Sequence, residues 1–134
     1  MLKPFVAAVL LAAAPAAAAE TNAALARIDA DRAANEAAAK AIWNFAEVGY
    51  QEARSSALLQ KRLKDAGFDV KAGVAGAPTA FTATWSNGAG PVIGIMGEYD
   101  ALPGLSQTAD PAKTVRSDVS AGHGCGHHLF GVAS

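Results

Sequence analysis

Residues 91–106 read PVIGIMGEYDALPGLS, and this stretch decides the predicted fold. Its first seven residues, Pro91 to Gly97, form a short apolar run with β-branched side chains, which is typical of a central strand buried on both faces. Two acids two positions apart, Glu98 and Asp100, follow the run directly. Functional sites in α/β sheets lie at the carboxyl ends of strands, so the sequence predicts a site here.

The segment before this run predicts two more strands. Phe68 to Val74 has the composition of a strand, and Thr79 to Trp85 alternates threonine with apolar residues, as a half-buried strand does. Ser86 to Gly90, with the sequence SNGAG, supplies a turn into the apolar run.

Two helices are predicted further upstream. The first is alanine-rich and runs from Thr21 to about Phe45, and the second runs from about Glu52 to Ala66. The larger apolar residues of the first helix fall on one stripe: Leu25, Ile28, Ile42 and Phe45. Residues 103–122 are polar and predict a long loop, after which Leu129 to Ala133 begin another helix.

This order of elements predicts an α/β fold, as the N-terminal part of a layered α/β/α catalytic domain: two helices, then strands of a mixed sheet. The last helix stops after one turn, and a helix that short gains little from nucleation. We therefore expect residues 20–134 to be a truncated, incomplete piece of such a domain.

Residues 1–19 predict a secretory signal peptide. Lys3 gives a positive start, an apolar stretch runs from Phe5 to Ala14, and small residues precede Glu20 as at a cleavage site. The apolar stretch is too short for a transmembrane helix. A periplasmic or secreted protein is therefore expected, without stable membrane association after cleavage.

Charge and cysteine content exclude several classes of protein. The chain has 11 Lys and Arg against 12 Asp and Glu, a net charge of −1, so it lacks the basic footprint of a nucleic-acid binder. It has one cysteine, which excludes an intramolecular disulfide scaffold. An unpaired thiol in an oxidising compartment is a liability unless a metal binds it.

All three histidines and the cysteine lie in the sequence GHGCGHH, residues 122–128. In an extended segment alternate residues share a face, so His123, Cys125 and His127 would point the same way. Imidazole nitrogen and thiolate sulfur both bind zinc, at about 2.0–2.3 Å. A carboxylate from Glu98 or Asp100 would then either bind the metal or accept the free N–H of a ligating histidine.

The residues alone leave other possibilities open. The loop is also compatible with a solvated turn that carries an incidental thiol. A small exported metal-binding protein would use His123, Cys125 and His127 as a carrier site. A thiol-dependent enzyme would use Cys125 as its nucleophile, activated by an adjacent histidine.

Two long motifs, GEYDALPGLS at residues 97–106 and GHGCGHHLFGVAS at 122–134, resemble the co-catalytic metallopeptidase and aminoacylase family. The resemblance is to the aminobenzoyl-glutamate utilisation protein B type, and it extends to EVGYQE at 47–52 and PTAFTAT at 78–84. By position it implies that Cys125 is a metal-bridging thiolate and that His127 is the next metal ligand. Asp100 matches an acid beneath the site that supports a ligand rather than the metal.

The remaining motif positions have less defined roles in the resemblance. Glu98 stands where related branches have a metal-binding histidine, and His123 is either a ligand or an outer partner of one. His128 stands where members of the family more often have Asp or Asn.

The activity that the resemblance implies is hydrolysis of the amide bond of a small N-acyl or N-aroyl amino acid. It implies two divalent ions, Mn or Zn, and a homodimeric full-length protein. The general-base glutamate is expected beyond Ser134, so the 134-residue chain by itself is expected to be inactive.

Overall fold

The computed structural model describes residues 14–134, with side chains from Asn22 onward. The predicted signal peptide therefore has its first 13 residues outside the described part of the chain. Asn35–Ser134 forms one compact unit, and the described residues before it, 14–34, belong to another.

Within the described residues the regular elements are three α-helices, four short strands and a single 3₁₀ turn at Val74–Gly76. The helices and strands follow in the order α1 (Ala14–Phe45), α2 (Ala53–Asp65), β1 (Asp69–Ala72), β2 (Phe81–Thr84), β3 (Leu102–Pro103), β4 (Ala121–Gly122) and α3 (His127–Ala133). This order of helices followed by strands confirms the predicted α/β class. In place of one mixed sheet, the described residues form two separate antiparallel pairs, β1 with β2 and β3 with β4.

In the N-terminal unit, the described side chains of α1 are almost all exposed. Leu25 is 55% and Ile28 is 60% exposed, whereas Ile42, in the other unit, is fully buried. The helix predicted over this region is present, and its first described turns bury neither of their two large apolar side chains. No helix within residues 14–134 is long and apolar enough to cross a membrane.

Both strands predicted before the apolar run are present in the second unit, and they pair with each other as a hairpin. β1 and β2 pair in antiparallel register, with Val70 opposite Ala83 and Ala72 opposite Phe81. The strands are shorter than the sequence predicts, because the connection turns away from the pair at Gly73 (φ 70°). This hairpin places Thr79, just before β2, next to the first turn of α2, where the Ser56 hydroxyl donates to its carbonyl.

A small alanine core connects the α1–α2 junction to the two segments that carry the candidate site. Ala46, Ala101 and Ala121 are 7%, 2% and 4% exposed and pack together, with Val48 and Val119 at the edge. The backbone N–H of Ala101 donates to the Glu47 carbonyl over 2.7 Å. Asp100 is thereby held one residue from the core, and the pairing of β3 with β4 brings residues 121–122 beside it.

The apolar run Pro91 to Gly97 is not a buried strand, and this prediction is wrong for the described structure. Val92 is 99%, Ile93 82% and Ile95 76% exposed, and the run belongs to no sheet. Its composition favours burial between two neighbouring strands, but no other described segment forms a backbone ladder with it.

The Glu47 carboxylate, which lies outside α2, accepts hydrogen bonds from free backbone N–H groups in the first turn of this helix. Glu47 Oε1 accepts from the Arg54 N–H, and Glu47 Oε2 accepts from the Ser55 N–H and hydroxyl, all within 3.0 Å. Burial by itself raises the pKa of Glu47, but the hydrogen bonds from Ser55 and Arg54 outweigh it and lower that pKa below its ordinary value. Glu47 thus caps the start of α2, although it lies five residues before the N-cap position, Glu52.

We predict that Glu47→Gln lowers the free energy of unfolding by about 1–2 kcal/mol at pH 7, because the amide is a weaker partner for these donors. The wild-type Glu47 contribution is present above the ordinary carboxyl pKa, and it is lost as the pH falls through the lowered pKa of the folded state. Urea titrations at a series of pH values from 7 to 3 measure both effects.

The exposed Glu36 provides a matched control for this measurement. Glu36→Gln should change the free energy of unfolding by less than about 0.5 kcal/mol. Equal stability and equal acid sensitivity in Glu47→Gln and the wild type would show that Glu47 does not cap α2.

Candidate metal centre

The segment Glu98–Asp100 forms one wall of the candidate site. Ala101 fixes its C-terminal end through the bond to Glu47, and the short parallel bridge between Val48 and Ala101 supports it. The Tyr99 hydroxyl donates to the Thr79 carbonyl over 2.6 Å. The two acids on either side of Tyr99 both contact the same histidine instead.

His127 is that histidine, and it is the first residue of α3. Its ring lies between the two carboxylates: Nδ1 is 2.7 Å from Asp100 Oδ1, and Nε2 is 2.9 Å from Glu98 Oε2. The His127 side chain is 21% exposed, against 33% for Asp100 and 48% for Glu98. The three residues form a cluster whose candidate ligand atoms all lie within 4.8 Å of one another.

α3 lies along the segment 96–100 in the opposite direction. His127 at its start contacts Asp100, and Ser134 at its end donates from its hydroxyl to the Met96 carbonyl over 3.2 Å. Gly131, one turn after His127, allows α3 to lie close to the segment 96–100. A Cβ at Gly131 would lie 2.6 Å from the Glu98 carbonyl oxygen and 3.1 Å from Tyr99 Cβ.

The charges of the cluster explain why it suits a cation. A neutral imidazole carries a single N–H, yet both ring nitrogens of His127 face a carboxylate oxygen. Two carboxylates beside one imidazole concentrate negative charge, which favours a cation at this position. Imidazole nitrogen and carboxylate oxygen are the donors that Zn²⁺ and Mn²⁺ accept in proteins.

Asp100 has the position expected of a residue that orients a metal-binding histidine. When Nδ1 donates to Asp100, the lone pair of neutral His127 lies on Nε2 and is available to a metal. The sequence left open whether the carboxylate near the histidine binds metal or orients the ring. The structure brings Asp100, Glu98 and His127 together.

The loop that carries Cys125 is a turn, so the predicted extended alternation of its residues is wrong. Residues 124–125 form the turn, and Gly126 follows it with φ 80° before α3 begins at His127. Cys125 is exposed and is not a member of the three-residue cluster. Its role as a metal-bridging thiolate stays a prediction.

His123 and His128 form a separate pair beside the cluster. Their ring centroids are 4.9 Å apart, and His123 Nε2 donates to the Ile42 carbonyl over 3.1 Å. Burial lowers the pKa of both histidines, with a further contribution from their nearby histidine neighbours. Their buried Nδ1 atoms have no hydrogen-bond partner among the described residues. Ligation of a metal by His123 therefore stays a prediction.

Sequence reasoning missed two residues that shape this site, Tyr99 and Gly131. Tyr99 was detectable in principle, because a residue between two acids of an extended segment must have different partners from theirs. Gly131 gave no local signal, since its importance arises from the approach of α3 to a carbonyl 33 positions away in the sequence.

Comparison with known proteins identifies one relevant relative. The chain is 44% identical, over 108 residues, to a subunit of the p-aminobenzoyl-glutamate hydrolase of Escherichia coli (strain K12). The family resemblance is confirmed. The match covers 80% of this chain, which spans 22% of the length of that relative. No family model matches the chain.

We predict that Gly131→Ala destabilises the chain by about 1–3 kcal/mol, because the added methyl overlaps the Glu98 carbonyl. In an unconstrained helix the same change would stabilise by about 1 kcal/mol, so the sign of the effect is diagnostic. Thermal and urea unfolding measure it.

Ala133→Gly, near the C-terminal end of α3, provides the control for helix propensity, and a small loss of stability is expected there. A stabilising Gly131→Ala would contradict the close packing of α3 against Glu98.

Proposed function

We propose that this chain carries part of the metal centre of an amidohydrolase that cleaves the amide bond of N-acyl or N-aroyl amino acids, of the aminobenzoyl-glutamate kind. The observation that supports it most directly is the His127 ring between the Asp100 and Glu98 carboxylates. The relative supports the substrate class, since it is part of a hydrolase whose name specifies p-aminobenzoyl-glutamate.

In this proposal His127 Nε2 is a metal ligand, and Asp100 holds the Nδ1 proton. Glu98 and Cys125 are the further candidate ligands of this chain, and the full centre would hold two divalent ions, Mn or Zn. Bound divalent ions supply Lewis acidity that activates water and polarises the scissile carbonyl. A general-base glutamate and the remaining ligands would be contributed by regions of the parent protein that match the rest of the relative.

Asp100 has a definable part in such chemistry. Its carboxylate accepts a hydrogen bond from the Nδ1–H group of His127. The lone pair of the neutral ring then lies on Nε2, where a metal can bind it. The carboxylate also prevents rotation of the ring, because a flipped ring would lose this hydrogen bond. A precisely oriented ligand needs less reorganisation when substrate binds.

The proposal includes the cellular location that the sequence predicts and the assembly that the family resemblance implies. Lys3, the apolar stretch after it and the small residues before Glu20 support export to the periplasm or beyond. We propose that the full-length parent is a homodimer that acts on small molecules.

The rival carrier protein requires His123, Cys125 and His127 as one ligand set. Of these three residues only His127 belongs to the cluster, while the His123 ring donates to Ile42. The arrangement therefore favours a ligand set that includes the carboxylates.

We predict that Asp100→Asn weakens binding of Zn²⁺ to the purified chain by about 10–100-fold, because the ring loses its charged partner. Competition titration against a chromophoric chelator measures the affinity. Asp110→Asn, which changes an exposed acid outside the cluster, should bind Zn²⁺ as the wild type does. Equal affinities for all three proteins would contradict the proposed site.

The purified 134-residue chain, loaded with Mn²⁺ or Zn²⁺, should not release p-aminobenzoate from p-aminobenzoyl-glutamate, because no general base is assigned to it. Chromatography of the products detects turnover. Hydrolysis at a rate typical of enzymes, on the order of 10 s⁻¹, would contradict the assignment of the base to another region.

A chimera tests the activity itself. This chain, without residues 1–19, replaces the matching segment of the Escherichia coli relative, and the hydrolase that contains the chimera is assayed on p-aminobenzoyl-glutamate. We expect activity, with a loss of at least about tenfold for Asp100→Asn and no loss for Asp110→Asn. A folded but inactive chimera would contradict the proposed function.

A further inference from the structure

Tyr99 lies between the two acids of the cluster but contacts a different part of the molecule. Its hydroxyl donates to the Thr79 carbonyl over 2.6 Å, and its ring stacks on Phe81 of β2 with centroids 6.0 Å apart. Glu98 and Asp100 meanwhile contact His127. Tyr99 thus links the hairpin to the segment that carries both carboxylates.

The acceptor of this hydrogen bond is itself held in place by α2. The Ser56 hydroxyl also donates to the Thr79 carbonyl over 2.6 Å, and the Thr79 hydroxyl donates to Glu52 Oε2 over 2.6 Å. Glu52 and Ser56 are 8% and 3% exposed. Tyr99 is therefore anchored to a buried, multiply bonded group.

The segment needs such an anchor because it lies outside any sheet. The backbone of residues 98–100 makes no hydrogen bond with the backbone of other described residues. The next residue, Ala101, makes one, to the Glu47 carbonyl. Gly131 limits the segment on the side of α3, but a van der Waals contact does not fix its rotation. The Tyr99 side chain supplies a directional bond.

The protonation state of Tyr99 agrees with this role. Burial raises the pKa of its hydroxyl, and the nearby Glu52 carboxylate adds to the rise, while the hydrogen bond with Ser56 opposes it. The hydroxyl therefore remains a donor at neutral pH.

We propose that Tyr99 is a positioning residue of the metal centre: its hydroxyl, anchored on the Thr79 carbonyl, sets the segment so that both carboxylates meet the His127 ring. The part of this inference that concerns metal affinity rests on the proposed function. The part that concerns the Asp100–His127 hydrogen bond does not.

The test uses the full 134-residue chain and Tyr99→Phe, which keeps the ring and its stacking on Phe81 but removes the donor. In the metal-free wild type, we expect nitrogen-15 NMR to detect a His127 Nδ1 proton that exchanges slowly because Asp100 holds it. In Tyr99→Phe this signal should broaden or disappear. The affinity for Zn²⁺ should fall about tenfold, the lower end of the effect of losing an outer partner.

Tyr50→Phe is the matched control, because it removes the hydroxyl of a tyrosine that is 73% exposed and lies outside the cluster. Tyr99→Phe should lose about 1 kcal/mol of unfolding free energy in urea, and the exposed Tyr50→Phe less than about 0.5 kcal/mol. Only Tyr99→Phe should alter the His127 signal and the affinity for Zn²⁺.

The outcomes separate this inference from the proposed function. A wild-type chain that does not bind Zn²⁺ would contradict the metal site, while the NMR comparison of the metal-free proteins would still decide the role of Tyr99. An unchanged His127 signal in Tyr99→Phe would overturn the inference. So would an equal change in Tyr50→Phe, since it would show that the His127 signal does not depend on the Tyr99 hydroxyl.

Discussion

The hydrogen bond between Asp100 and His127 is the interaction on which the candidate site depends, and it is too weak to create that site. It joins residues 27 positions apart over 2.7 Å, and both side chains are partly exposed. An ion pair of this exposure contributes about 0–1 kcal/mol, far less than the entropy cost of ordering the two segments that it joins. The segments must therefore be positioned by other contacts, and the hydrogen bond forms because they are.

Those other contacts are short-range and mostly involve small residues. Ala101 and Ala121 pack together with Ala46. Because their side chains are single methyl groups, the backbones of the two segments that carry the site can lie close together. Burial of a methyl group stabilises by only about 0.8 kcal/mol, so this core contributes geometry more than free energy. Hydrogen bonds to backbone groups, such as those that Glu47 accepts at the start of α2, add to the stability of this region.

The sequence predicted best the features that depend on near neighbours. The bounds of α2 and the positions of β1 and β2 follow from periodicity and turn residues, and the structure places them within a few residues of the prediction. Glu98, Asp100 and His127 were identified because acids after an apolar run and clustered histidines are uncommon. Features that depend on distant partners were not predictable: the exposure of Ile93, and the turn that separates Cys125 from the cluster.

The difference between the two acids follows from their surroundings and bears on how a metal would enter. An imidazole nitrogen has one lone pair, so Glu98 and a metal ion cannot both be direct partners of His127 Nε2. Asp100 is held through Ala101 and need not move, because its partner is the opposite nitrogen. Glu98 is 48% exposed, so its carboxylate can turn to bind the ion or withdraw into solvent at little cost. A site with one fixed and one adjustable carboxylate can accept a cation without rearrangement of its backbone. This requires that the backbone between Glu98 and Asp100 stays in place, and Tyr99, the residue between them, is hydrogen-bonded to the Thr79 carbonyl.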